Sequence, residues 1–125
     1  MKKMWINDDG LVNEIMKIFH SDYPVVMFQL STVYTLIAPP TQAGAQALNH
    51  AKQRLPEKNY GSAIGNLNAF HRLANEGSLP EALDAPEKLE VFSGAFMRID
   101  VAESNFDSVL VRSGTHQGLL LNFPF

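Results

Sequence analysis

Apolar residues recur at helical spacing near the start of the chain and predict a first helix over residues 6–20. Four of them share one face of that helix: Leu11, Ile15, Ile18 and Phe19. Asn7 is the expected N-cap, and Asp8 and Asp9 then lie in the first turn, where the helix dipole favours negative charge.

Residues 25–28 read VVMF and predict a short inner strand of a sheet. Residues 33–37 predict a second short strand, which Pro39 and Pro40 end. A helix capped by Thr41 follows through about Arg54. Because this helix is rich in alanine, it suits close packing on the sheet.

The second half of the chain predicts shorter elements. Residues 62–65 predict a strand, and Asn66 is the expected N-cap of a helix over residues 67–76 that Gly77 ends. Residues 78–87, with two prolines and several carboxylates, are typical of a solvated connection. Residues 89–101 predict a strand or a hairpin, and residues 108–112 a last strand. Helices alternating with strands indicate a single domain of residues 1–125 in the α/β (α+β) class.

Composition narrows the class of protein. The chain has 125 residues, of which 46% are hydrophobic, and this suits one packed core. A formal net charge of −3 argues against a protein dominated by nucleic-acid binding. The absence of cysteine excludes disulfides and cysteine-type zinc sites. No apolar run reaches the length of a membrane span, and acidic residues stand where a signal peptide would be apolar, so a cytoplasmic protein is expected.

Two groups of polar residues are candidates for chemistry. Ser31 and Thr32 place hydroxyl groups after the first strand, and ligands of α/β sheets bind beyond strand ends. Lys52 and Arg54 place two cations at the end of the alanine-rich helix, where they suit a phosphate or a carboxylate. The structural alternative is that these residues are strand formers and solvated cations that complement the helix dipole. The histidines have no metal-ligand spacing and are expected at the surface or as caps, so no metal site is predicted.

Three segments together resemble the YrdC family of threonylcarbamoyl-adenylate synthases: residues 32–36 (TVYTL), 52–56 (KQRLP) and 106–112 (FDSVLVR). That family carries the motif PT(D/E)TVYGL, then a helix, then KxRP, and later a strand that ends in arginine. The resemblance covers most of the chain. It implies a YrdC-like twisted mixed sheet flanked by helices, incomplete at the C-terminus, and an enzyme that joins ATP, threonine and bicarbonate for tRNA modification.

The resemblance also implies a binding site. Thr32 would line the pocket shared by the amino acid and the nucleotide, and Tyr34 would shape the same loop. Lys52 and Arg54 would bind the triphosphate and the carbamate or carboxylate group. Arg112 would reach the substrate, with a strand-end arginine at the sheet edge as the structural alternative. ATP is then a substrate, with Mg²⁺ as its candidate companion; no tightly bound cofactor is expected, and no catalytic residue is assigned.

The chain also departs from the family pattern. Residues 29–31 (QLS) replace its Pro, Thr and acidic residue, Thr35 replaces its Gly, and Leu55 displaces the Pro of KxRP. The family's later Ser-x-Asn nucleotide segment does not occur before residue 125. These departures favour a divergent member with weak or no turnover that binds a nucleotide and a threonine-like small molecule. The alternatives are a non-catalytic nucleotide- or RNA-binding module and a structural module that forms homo-oligomers; no membrane partner is expected.

Overall fold

A computed structural model describes residues 2–29, 33–53, 60–106, 110–111 and 116–120, the last of these by their backbone alone. Helices and short strands alternate along these residues, which confirms a mixed α/β class. The chain divides into two compact units, Met1–Pro56 and Glu57–Phe125. The assignment of residues 1–125 to a single domain stays a prediction.

The first helix, α1 (Leu11–Phe19), begins later than the sequence predicts. Gly10 precedes it with a left-handed φ of 80°, a conformation that stops the helix and that glycine adopts without a Cβ clash. Asn7 is therefore not the N-cap, and Asp8 lies before the helix, where its carboxylate accepts a hydrogen bond from the Trp5 N–H at 2.8 Å. No residue of α1 is fully buried.

Strands β1 (Val26–Gln29) and β2 (Tyr34–Ile37) form an antiparallel pair, in which Gln29 lies opposite Tyr34. Among the described residues β2 is the one partner of β1, so the prediction of an inner strand over residues 25–28 is wrong for this part of the chain. The residues of β1 alternate between half-buried and exposed, and Met27 is 50% exposed. Such alternation is typical of a strand with one covered face, whereas an inner strand of a covered sheet is buried on both faces.

Helix α2 (Gln42–Lys52) confirms the predicted cap, because Thr41 Oγ1 accepts a hydrogen bond from the Gly44 N–H at 3.1 Å. Gly44 and Ala47 are the buried residues of α2. A Cβ on Gly44 would overlap the Pro39 carbonyl oxygen, so this close approach of two backbones requires glycine. The helix ends at Gln53, which has a left-handed φ of 49°.

The second unit contains a three-stranded mixed sheet built from β3 (Gly61–Ala63), β4 (Phe96–Asp100) and β5 (His116–Leu120). The central strand β5 is parallel to β3 and antiparallel to β4. The strands predicted over residues 62–65 and 89–101 are therefore present but shorter or shifted. Most of the strand predicted over residues 108–112 lies outside the described residues, although Leu110 forms an isolated bridge with Phe106.

Helix α3 (Leu67–Leu73) begins as predicted, since Asn66 Oδ1 accepts a hydrogen bond from the Ala69 N–H at 3.0 Å. It ends before the predicted residue 76 because Ala74 has an extended backbone and bridges Val101 beside β4.

The side-chain amide of Asn105, distant in sequence, donates hydrogen bonds to the end of α3. Its Nδ2 lies 3.3 Å from the carbonyl oxygen of Arg72 and 3.1 Å from that of Leu73, to which it donates. These are carbonyls that the end of a helix leaves without an intrahelical partner. The end of α3 is thereby tied to the segment that follows β4.

The described core of the second unit comprises eight buried apolar residues: Ile64, Phe70, Leu73, Leu89, Ile99, Val101, Phe106 and Leu110. Phe70 and Leu89 have no exposed surface. Leu89 belongs to α4 (Pro86–Leu89), a single turn flanked by 3₁₀ turns at Glu81–Leu83 and Glu90–Phe92. The connection predicted over residues 78–87 is thus partly helical, and Pro86 at the first helical position favours the turn.

Candidate nucleotide-binding site

The structure describes two of the predicted site residues, Tyr34 and Lys52, and both belong to the first unit. Thr32, Arg54 and Arg112 lie outside the described residues. The sequence resemblance predicts that Thr32, Lys52, Arg54 and Arg112 converge on one cleft, and this stays a prediction.

Tyr34 is the first residue of β2 and is 67% exposed. The preceding residue, Val33, is also exposed, at 53%. A tyrosine ring offers an apolar face and a hydroxyl group, and both are useful to a ligand when the ring lies in solvent. Residue 34 thus has the strand position that its β propensity predicts and also the exposure that a ligand contact needs.

Lys52 is the last residue of α2 and its side chain is exposed. It already interacts with another group of the chain. His50, two residues earlier, lies edge-on to Tyr23 with ring centroids 6.1 Å apart. A cation in the last turn also complements the helix dipole, so the position of Lys52 is compatible with both of the interpretations drawn from the sequence.

His71, for which the sequence predicts a surface or cap position, is part-buried and contacts the end of the 3₁₀ turn Glu81–Leu83. Its Nε2 lies 2.9 Å from the Leu83 carbonyl oxygen, and because a carbonyl only accepts, Nε2 carries the proton. The ring lies edge-on to Phe70, with centroids 5.7 Å apart. Its Nδ1 is buried and has no hydrogen-bond partner among the described residues.

A depression of about 240 Å³ lies beside this histidine and is lined by carboxylates as well as apolar groups. Asp84 and Glu76 are the acidic residues of its wall. The Lys88 ammonium donates to Asp84 Oδ1 at 2.6 Å and to the Glu81 carbonyl at 2.8 Å, so a cation of the chain itself is already bound at this rim. No motif marks the depression in the sequence, because its residues come from separate short elements.

Among the described residues of the first unit, Glu14 has a lowered pKa. Its carboxylate accepts from Lys17 Nζ at 3.0 Å and pairs with Lys2 Nζ at 3.0 Å. These two cations, Lys17 first, hold the pKa of Glu14 below its usual value of 4.5. Ion pairs in such exposed positions contribute little to stability.

The described ranges contain no helix long and apolar enough to cross a membrane. Nor do they contain a group of three or more histidine, aspartate and glutamate side chains placed to hold a metal ion. Comparison with protein-family models, with curated proteins and with solved structures finds no match to this chain. The resemblance to the YrdC family therefore depends on the three sequence segments alone.

Proposed function

We propose that this chain is a divergent relative of the YrdC family that binds ATP and a threonine-like amino acid but forms little or no threonylcarbamoyl-adenylate. The observation that carries the proposal is the order of the three segments TVYTL, KQRLP and FDSVLVR, with a helix between the first two. The proposal implies the YrdC-like fold, a twisted mixed sheet flanked by helices. In its support, β2 contains most of the first segment and leads directly into the capped helix that ends at Lys52.

Charge complementarity is the physical basis of nucleotide binding in this proposal. A triphosphate concentrates negative charge, and fixed cations offset it. Lys52 and Arg54 flank Gln53, whose left-handed backbone changes the direction of the chain directly after α2. In the proposed site Thr32 adds a hydroxyl group and Arg112 a second guanidinium. No covalent intermediate is needed, because positioning and charge stabilisation can supply most of the rate.

Two substitutions in the paired strands β1 and β2 are the reason to expect weak turnover. Thr35 stands where the family has glycine, and this residue is half-buried in β2 opposite Phe28. A side chain at this position prevents the close backbone approach that glycine permits. Gln29, the first of the residues that replace the family's Pro-Thr-acidic sequence, is paired with Tyr34 in the sheet. A displacement of about 1 Å in the reactants can cost about a hundred-fold in rate, so binding can persist where catalysis does not.

Calorimetric titration of the whole chain with ATP and with threonine, separately and together, tests binding. A charge-assisted contact contributes about 1.5–3 kcal/mol, so Lys52→Ala is expected to weaken ATP binding about ten-fold or more. Lys17→Ala is the matched control, since Lys17 is also exposed in the last turn of a helix of the same unit. Equal affinities of the two variants would remove Lys52 from the site.

Pyrophosphate release from ATP in the presence of threonine and bicarbonate tests turnover. Binding with little or no release is the expected result. Rapid release of pyrophosphate would refute the proposal of weak turnover and indicate an active synthase. Absence of ATP binding in the wild type would instead favour the structural module, whose signature is self-association in sedimentation.

A further inference from the structure

The sheet of the second unit has one covered face and one open face. On β4, Met97 is half-buried and Ile99 is a core residue, whereas Phe96 and Arg98 are exposed. Phe96 is 56% exposed, a large fraction for a phenylalanine in a strand. Because successive side chains of a strand point to opposite faces, Phe96 and Arg98 lie on the same, open face.

The register extends this face with Gly118 and Leu120 of β5 and with Gly61 and Ala63 of β3. Gly118 of β5 pairs with Gly61 of β3 on one side and with Arg98 of β4 on the other. Gly61 and Ala63 are both exposed. Two neighbouring glycines, Gly61 and Gly118, leave the backbone beside Arg98 without side chains. We call these residues the open face: Gly61, Ala63, Phe96, Arg98, Gly118 and Leu120.

We propose that the open face binds single-stranded nucleic acid, with a base stacked on Phe96 and a phosphate bound by Arg98. Exposed aromatic residues on a sheet stack on bases of any nucleotide sequence, because every base has a π-face. The guanidinium of arginine matches the oxygen atoms of a phosphate. Along a β-strand, two residues span roughly 7 Å, so the Phe96 ring and the Arg98 guanidinium can contact neighbouring nucleotides of one extended polynucleotide.

The stacking contact favours a single-stranded nucleic acid over a duplex or a free nucleotide. A duplex keeps its bases stacked and paired, which denies Phe96 a base. A free nucleotide would contact the open face on one side only, whereas a strand adds contacts from neighbouring nucleotides. This site belongs to the second unit and does not depend on the proposed ATP site, whose described residues belong to the first.

The charge of the chain sets the expected strength of binding. Arg98 forms none of the ion pairs seen among the described residues. Asp100 lies two residues further along β4 on the same face as Arg98, where its carboxylate accepts a hydrogen bond from Asn75 Nδ2 at 3.2 Å and adds negative charge beside the phosphate contact. With a net charge of −3 the whole chain repels phosphates, so binding is weak and strongest at low salt.

Fluorescence anisotropy with a labelled octauridine RNA tests the stacking contact. Phe96→Ala and Phe96→Leu are both expected to weaken binding by about five-fold or more, and Phe96→Tyr to retain it, since only an aromatic ring stacks a base. Phe92→Ala is the matched control, because Phe92 is also exposed, at 39%, but lies in the turn before the sheet. Circular dichroism of each variant establishes that it is folded.

The phosphate contact has its own measurement. Arg98→Gln is expected to reduce the slope of log affinity against log salt by about 0.7, the value for one phosphate of a single strand. The proposal is overturned if the wild-type chain does not bind octauridine at low salt, if Phe96→Ala binds as tightly as Phe92→Ala, or if an RNA duplex binds equally well. An unchanged salt slope in Arg98→Gln overturns it too. ATP titration of the same variants separates the two proposals, because their ATP affinity is expected to equal that of the wild type.

Discussion

Truncation of Leu89 to alanine is expected to destabilise the second unit more than any surface substitution near it. Leu89 has no exposed surface and belongs to the same buried cluster as Phe70 and Ile99. The substitution removes three carbon atoms from this cluster. At about 0.8 kcal/mol for each buried CH₂ group, the transfer term alone is about 2.4 kcal/mol. The cavity left behind increases the loss, and leucine-to-alanine changes in cores cost about 2–5 kcal/mol in total.

Urea unfolding followed by far-ultraviolet circular dichroism measures this loss. With a slope of about 1–3 kcal/mol per molar urea, a loss of about 3 kcal/mol lowers the midpoint by roughly 1–3 M. Val91→Ala is the control, because Val91 is two residues away and 83% exposed, and a change at such a site is expected to stay within about 0.5 kcal/mol. Equal midpoints for the two variants would refute the buried position of Leu89.

Two further predictions concern the first unit. Gly44→Ala is expected to cost about 1–3 kcal/mol through overpacking, whereas its control Gly65→Ala, in the second unit and with no atom within 4 Å of the added Cβ, is expected to be tolerated. Thermal unfolding of each variant against the wild type measures both effects, and an unchanged stability of Gly44→Ala would contradict the close approach at Gly44. Because the pKa of Glu14 is lowered in the folded chain, its small stabilising contribution is present above the unfolded pKa and lost as the pH falls through the folded value. An NMR titration of the Glu14 carboxyl group checks this, and a midpoint that does not rise in Lys17→Gln would show that the ion pair is not formed.

Helix starts were predictable where a side chain caps the backbone nearby. Thr41 and Asn66 both cap the helices assigned to them, because that hydrogen bond involves only residues three positions apart. The start of α1 was not predictable in this way, since the conformation of Gly10 overrides an apolar pattern that continues before it. The end of α3 was not predictable because Val101 and Asn105, which fix it, lie about thirty residues further along the chain.

The candidate site was predictable to the same extent: the secondary structure around its residues was predicted, and contacts between distant segments were not. The sequence placed Tyr34 in a strand and Lys52 at the end of a helix, and both positions are confirmed. Whether Arg112 joins them depends on the arrangement of distant segments, which no local periodicity encodes. The part-buried position of His71 was not predictable for the same reason. Its hydrogen-bond partner, Leu83, belongs to a segment that has the composition of a solvated connection.

The parallel pairing of β3 with β5 has a consequence for the order of folding. It joins Gly61 to Gly118, residues separated by most of the second unit. Since the entropy cost of closing a loop grows with its length, this pairing becomes favourable only after the intervening chain is compact. The bridge between Ala74 and Val101 closes a shorter loop and needs no part of β5. During synthesis, α3 and β4 can therefore associate first, and the pairing of β5 with β3 is expected to follow once the chain between them is compact.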